Sequence, residues 1–187
     1  MRAFFVKPPE RMPAGDVALR RMRRGDADNF LATVNENLEH LRPWMPWAQE
    51  PHTHAGQADY LARVEAAWKL GTEYGYGIWS PDERELLGAC GLHARIGPGA
   101  LEIGYWIARR HTGRGYAKAA ATALTRAALS LPGVNRIEIH CDEANVRSAA
   151  VPKALGFRLD RTVEDEIKAP GEVGRAMIWV YESPKVI

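Results

Sequence analysis

Residues 101–131, LEIGYWIARRHTGRGYAKAAATALTRAALSL, run an apolar strand-like segment into a basic turn and the turn into a long alanine-rich stretch. The last part places Tyr116, Ala120, Ala123, Leu124, Ala127 and Leu131 on one side at helical spacing and Lys118, Thr122, Thr125 and Arg126 on another. Residues 136–141, RIEIHC, then read as a second strand. A strand, a crossover helix and a strand imply a parallel pair.

The turn is the chemically unusual part. No acidic residue falls between Glu102 and Glu138, yet the interval holds Arg109, Arg110, Arg114, Lys118, Arg126 and Arg136. A strand that turns directly into a helix gathers unpaired backbone N–H groups at the positive end of the helix dipole, which is a phosphate site in waiting. Gly113 and Gly115 let a ligand approach that backbone without a Cβ in the way. A lone Gly-x-Gly is also how any tight turn is made. Its conjunction with the acid-free basic interval and the long helix favours an anion. GRGYAK lacks the glycine spacing and the Lys-Ser/Thr pair of a P-loop, and Lys118 stands where a dinucleotide fingerprint needs its third glycine.

The rest of the chain surrounds this unit with a mixed pattern. Residues 16–22 read as an opening strand, and Asp26 begins a helix to about Leu41 with Phe30, Leu31, Val34 and Leu38 at helical spacing. The prolines of LRPWMPW stop it, and residues 54–70 form a second amphipathic helix. Residues 74–80, 86–94 and 101–108 are three strands separated by turn residues, an antiparallel meander. Asn145 opens a short helix that ends at Gly156, and residues 157–162 and 176–182 supply the last strands. The expectation is one α+β domain over residues 1–187.

Composition narrows the function classes. Hydrophobic residues are 46% and charged residues 26% of 187, an ordinary globular balance, and no apolar run approaches the roughly 20 residues of a membrane span. The start, with Phe4, Phe5 and Val6, has no signal-peptide core, so the cytoplasm is the expected location. Cys90 and Cys141 lie in strand-like runs without metal-site spacing and are expected to be free, buried thiols. A net charge of +2 gives no ground for a nucleic-acid or membrane partner. The acidic group Asp160, Glu164, Asp165, Glu166 and Glu172 and the run at residues 20–24 read as solvated surface.

Arg110-x-x-Gly113-x-Gly115 followed by Tyr116-Ala117 resembles the acyl-CoA-binding motif of the GNAT superfamily of acetyltransferases. LEIGYWI at 101–107, Asn145-x-x-Ser148 ahead of Leu155-Gly156-Phe157, and the LRPWMPW segment look like its RimJ/RimL-type branch, and the element order agrees over roughly residues 16–182. The resemblance implies a GNAT fold, a mostly antiparallel sheet of about seven strands flanked by about four helices, with a splayed parallel pair at the acyl-CoA site. It implies acetyl-CoA as co-substrate and no metal. It carries over Arg110, His111, Gly113, Arg114, Gly115, Tyr116 and Ala117 as phosphate contacts, and Trp106, Ile107 and Ala108 as pantetheine contacts along the strand. In the branch Asn145 would orient pantetheine, and Ser148 would give a proton to the departing sulfur; many other members of the superfamily use a tyrosine there, which the corresponding region lacks, although Tyr105 is near in sequence.

Acetyl transfer to an amine needs a neutral amine and a stabilised thiolate. Glu102 shares a strand face with Gly104 and Trp106, where burial would raise its pKa, and by resemblance it is the general base. A half-exposed surface glutamate is the plain alternative for Glu102, and helix capping the plain alternative for Ser148. Pro152 inside the same short helix would tilt it and alter the aim of Ser148. Trp44 and Trp47 could be core wedges or part of the acceptor wall, and the resemblance favours substrate contact. His93 and His140, both in strands, are expected to be half-buried structural residues.

For the acceptor, a protein α-amine has a pKa of about 7.7–8.0 against about 10.4 for lysine, so it needs only a modest base. The branch works on ribosomal-protein N-termini, which sets the first expectation. Small-molecule amines such as antibiotics, polyamines or aminoacyl-nucleotides, and a non-catalytic acyl-CoA-binding module, remain alternatives, and a homodimer stays open.

Overall fold

The computed structural model describes residues 6–182, so the expectation at Phe4 and Phe5 lies outside the described residues. Eight strands form one sheet: β1 (Arg11–Ala14), β2 (Val17–Arg21), β3 (Glu73–Trp79), β4 (Leu86–His93), β5 (Ala100–Ile107), β6 (Arg136–Asp142), β7 (Arg158–Glu164) and β8 (Arg175–Glu182). Their spatial order is β1-β2-β3-β4-β5-β6-β8-β7. Every pairing is antiparallel except β5 with β6. Five helices accompany the sheet: α1 (Ala27–Glu36), α2 (Leu38–Leu41), α3 (His54–Leu70), α4 (Tyr116–Leu129) and α5 (Val146–Ala154).

The two counts exceed expectation by one strand and one helix, each for a local reason. β1 reads RMPA, and its proline hides it from a strand pattern. As the sheet edge, β1 has one side free of ladder bonds, where Pro13 costs nothing. The helix expected to continue to Leu41 breaks at Asn37, whose φ of −116° and ψ of 10° are not helical. Asn37 is buried, and its side chain donates to the Thr33 carbonyl at 2.8 Å.

Alternation decides what each sheet face buries. Leu101, Ile103, Ile137 and Ile139 point into the main core, where Ala120, Ala121 and Leu124 of α4 meet them. The small alanines let α4 approach the sheet closely. On the opposite face Phe30, Leu61 and Val64 of α1 and α3 pack against Trp79, Ala89 and Trp106. A Cβ at Gly75 would lie 2.7 Å from Val64 Cγ1, so glycine there permits the approach of α3.

Candidate functional site

β5 and β6 are paired only from Ala100 opposite Arg136 to Glu102 opposite Glu138. Beyond that the strands part, and the far half of β5 presents its backbone edge to the gap. The gap opens into a cleft of about 1020 Å³ that residues of both sheet faces line, among them Glu102, Tyr105, Trp106, Cys141 and Ser148. The remaining side of β5 stays bonded to β4 as far as Ile107 opposite Gly88.

At the end of β5 the chain makes a 3-10 turn over Arg109–His111 and enters α4. Gly113 and Gly115 take φ of 77° and 80°, the left-handed region that favours glycine, and a Cβ on either would meet nothing within 4 Å. Gly115 is the N-cap, and no side chain caps this end of α4. The exposed turn therefore offers open space, free amide donors and the positive helix pole together. Arg114 and Lys118 are exposed beside it. Arg110 and His111 turn elsewhere: Arg110 Nη2 lies 2.7 Å and His111 Nε2 3.1 Å from Glu85 Oε1, and His111 is buried. The side chains of these two are engaged away from the turn, and the His111 N–H is taken by the Ala108 carbonyl at 2.8 Å.

Glu102 is buried at 6% exposure and gripped by Arg95, with Nε 2.7 Å from Oε2 and Nη2 2.6 Å from Oε1. Across the splay, His140 places Nδ1 3.9 Å from Glu102 and Nε2 2.5 Å from Glu138, itself buried and bonded by Arg136 at 2.6 Å. This cluster of paired acids sits beside the opening where β5 and β6 part.

The family model for the acetyltransferase (GNAT) domain matches residues 16–158, which span the meander, the Gly-x-Gly turn, α4 and α5. The chain belongs to the GNAT acetyltransferase family. It is similar to [ribosomal protein uS5]-alanine N-acetyltransferase of Escherichia coli K12, at 26% identity over 168 residues, 88% of this chain and 87% of that protein. In fold it resembles RimL, a ribosomal L7/L12 alpha-N-protein acetyltransferase solved with coenzyme A, with a TM-score of 0.84 at 20% identity over 92% of this chain and 98% of that one. It also resembles the microcin C7 self-immunity acetyltransferase MccE, solved with acetyl-CoA and AMP, with a TM-score of 0.82 at 16% identity over 92% and 98%. The protein is thus an N-acetyltransferase with acetyl-CoA as its co-substrate.

In this GNAT enzyme the expected rise in the Glu102 pKa is not found. Burial pushes the carboxyl up, but the Arg95 hydrogen bonds and charge, with His140 and His93 nearby, outweigh it and hold Glu102 below the ordinary carboxylate range. Residue alternation places Glu102 on the buried face, whereas its pairing with Arg95, seven positions back across a loop, carries no local signal.

Ser148 is not a helix cap. Asn145 is, accepting the Ser148 N–H at 3.1 Å, while Ser148 lies in the first turn of α5. Pro152 explains the company Ser148 keeps. Four residues on, it has no N–H for the Ser148 carbonyl, and Tyr105 Oη donates to that carbonyl instead at 3.0 Å. The same hydroxyl is 3.2 Å from Ser148 Oγ. Burial holds the Tyr105 hydroxyl well above its ordinary pKa, so it stays protonated. Burial also pushes the Cys141 thiol up to about 11, which leaves little thiolate at neutral pH. Cys90 and Cys141 are both free thiols, Cys90 buried and Cys141 half-buried.

Trp44 and Trp47 line the cleft. Trp47, 43% exposed, sits with its ring centroid 6.1 Å from Trp106 and 5.8 Å from His52, so it is a wall and not a core wedge. Ile107 offers its carbonyl to His40 Nε2 at 3.2 Å, and the Ala108 N–H donates to Leu87 at 2.8 Å. Asn37 Oδ1 accepts the Arg109 N–H at 2.7 Å and so ties α1 to the start of the turn. His40, Asn37 and Arg95 are site-shaping residues that no motif announces: His40 and Asn37 act through partners 67 and 72 positions away, and Arg95 reaches Glu102 across a loop. In the acidic C-terminal stretch Glu164, Asp165 and Glu166 are exposed, as expected of solvated surface, and Asp165, Glu166 and Glu172 also border the cleft.

Proposed function

We infer that this single-domain chain transfers the acetyl group of acetyl-CoA to the N-terminal α-amine of a protein, a ribosomal protein being the first choice, in the cytoplasm. The observation that carries the reading is the uncapped N-terminus of α4 with its two open glycines, set beside a splayed strand pair that opens on an acidic cleft. A pyrophosphate suits the amides and cations of Gly113, Arg114, Gly115, Tyr116 and Ala117, with Arg110 and His111 leading into the same turn. Beyond Glu102 the edge of β5 is released from β6 and suits an extended pantetheine arm along Trp106, Ile107 and Ala108, with the Ile107 carbonyl already met by His40 and the Ala108 N–H by Leu87. Asn145 stands at the head of α5 for the same arm.

The reaction joins the acceptor nitrogen to the acetyl carbon and breaks the carbon–sulfur bond, so sulfur must receive a proton. Ser148 is the donor in this reading. Ser148 lines the cleft, its Oγ 3.2 Å from Tyr105 Oη and in hydrogen-bond contact with the Cys141 thiol, while the Tyr105 hydroxyl donates to the Ser148 carbonyl. Glu102, ionised and held by Arg95, stands with Glu73, Asp59 and Asp142 among the carboxylates that line the cleft and draw an ammonium toward the thioester. Trp44 and Trp47 form the wall against which the acceptor lies.

The acceptor choice draws on the relative at 26% identity, an alanine N-acetyltransferase of ribosomal protein uS5. The fold match to a self-immunity acetyltransferase keeps a small-molecule amine as the second reading. Thiol release from acetyl-CoA, measured with peptides of different N-terminal residues beside polyamines, aminoglycosides and aminoacyl-nucleotides, separates them. Turnover with N-terminal peptides supports the first reading, turnover confined to small amines supports the second, and acetyl-CoA binding without any turnover means a non-catalytic module.

A further inference from the structure

Glu73, His93, Glu102 and Glu138 stand opposite one another on β3, β4, β5 and β6, one per strand, in a single row across the sheet. Directly opposed residues share a sheet face, so four ionisable groups meet along the cleft side. Three are spoken for or act as partners. Arg95 grips Glu102, Arg136 and His140 hold Glu138, and both ring nitrogens of His140 face carboxylates. His93 differs. Its Nδ1 faces Glu73 at 3.8 Å, and its Nε2 turns over the next row, where Gly91 stands opposite Gly104. A Cβ would lie 3.4 Å from that nitrogen at Gly91 and 3.5 Å at Gly104, so the ring rests on backbone that carries no side chain. His93 lines the cleft, and among the described residues Nε2 makes no hydrogen bond.

We propose that His93, with the Glu73 carboxylate beside its Nδ1, is the catalytic base that takes the proton from the acceptor ammonium, while Glu102 is among the carboxylates that draw the ammonium in. The inference rests on the acetyl-transfer reading above. Its proton account closes. Nε2 takes one proton from the ammonium, the neutral nitrogen forms the bond to the acetyl carbon, and the carbon–sulfur electron pair goes to sulfur. As the amide forms, the nitrogen's second proton replaces the one that Ser148 gives to sulfur, sulfur ends as a thiol, and the proton on His93 passes to solvent.

The surroundings suit a base. Glu73 from β3, Arg95 beyond β4 and Glu102 from β5 face the ring, and Tyr60 and Arg63 of α3 border the same cleft. Burial pushes the His93 pKa down, with Glu73 and Glu102 pulling up and Arg95 down, and the net is below the ordinary value. The imidazole is therefore neutral near pH 7, the state that accepts a proton. Glu102, held below its ordinary range with both oxygens bonded, is the weaker base of the two.

The test compares wild type with His93→Gln, Glu73→Gln and Glu102→Gln, using a short peptide beginning with alanine and, beside it, the small-amine panel. Measured are kcat, the acceptor KM, acetyl-CoA affinity by calorimetry, and kcat against pH across the histidine range. His93→Gln should lower kcat by about 10²-fold or more with acetyl-CoA affinity unchanged, and abolish the acid limb of the profile. Glu73→Gln removes a charge that favours the imidazolium, so its limb should move to lower pH; this arm decides the matter if His93→Gln fails to fold. Glu102→Gln should raise the acceptor KM and keep the limb. Wild-type kcat with an intact limb in His93→Gln, or loss of the limb in Glu102→Gln alone, overturns the role of His93 and leaves acetyl transfer standing. Wild type inert toward every amine overturns both.

Discussion

Arg95 closes on Glu102 with two parallel hydrogen bonds, 2.7 and 2.6 Å long, from a loop position to a strand position seven residues later. Glu102 is buried and Arg95 is largely exposed. Removing the arginine leaves a buried carboxylate without its main partner, a loss discounted here because water reaches the site.

Arg95→Ala is therefore expected to lower stability by about 1–2 kcal/mol at neutral pH. The sign with pH follows from the depressed Glu102 pKa. The contribution is complete above the unfolded carboxyl value of about 4.3 and disappears as pH falls through the lower folded value. Urea unfolding of both proteins at neutral and acid pH checks it: the gap between them should narrow in acid, and a constant gap refutes the linkage.

Ser148→Ala should reduce kcat by about 10²-fold while the acetyl-CoA KM stays put, as loss of a proton donor to sulfur requires. Tyr105→Phe removes the hydroxyl that substitutes for the missing Pro152 N–H, and should cost less. Because the two groups touch, the double variant should lose less than the sum of the single losses in free energy. Steady-state kinetics on the four proteins reads the coupling directly, and strict additivity would show that the contact is idle.

Gly115→Ala forces a left-handed φ of 80° on a residue with a Cβ, costing about 1–2 kcal/mol, and puts a methyl into the space assigned to phosphate. Acetyl-CoA binding by calorimetry should weaken markedly. Gly97→Ala, with φ of 115° and open space around it but distant from the turn in the chain, should lower stability and leave binding alone. Equal binding losses in both variants would mean that strain, not phosphate contact, was at work.

Asn37→Ala leaves the Arg109 N–H without its acceptor in a part-buried place and should cost about 1–3 kcal/mol. Since that bond anchors the entry to the basic turn, the acetyl-CoA KM should rise as well. Thermal melting and kinetics on one preparation test both halves.

Most of the fold was legible because its signals are local. Residues 101–131 carry their strand, turn and helix in consecutive residues, and α3 announces itself with a Thr53 cap and a Gly71 stop. β1 was missed because Pro13 is tolerated only at an edge, and edge position is a property of the assembled sheet. The break at Asn37 depends on Arg109, 72 positions away, which no periodicity reports. The site divides in the same way. Gly113 and Gly115 speak through backbone conformation, which glycine advertises. Glu102 and His93 take their character from cross-strand neighbours, so the burial of Glu102 could be foreseen and the direction of its pKa could not. His93 looked like one more half-buried strand histidine until the register placed Glu73 on one side of it and a bare glycine pair on the other.

The most direct test of acetyl transfer at this cleft is mass spectrometry of an alanine-started peptide incubated with the purified enzyme and acetyl-CoA, with released thiol counted in the same tube. One acetyl group on the peptide α-amine for each coenzyme A freed is the predicted result. Peptide and small amines all returned unmodified, with thiol appearing no faster than in buffer, is the result that contradicts it.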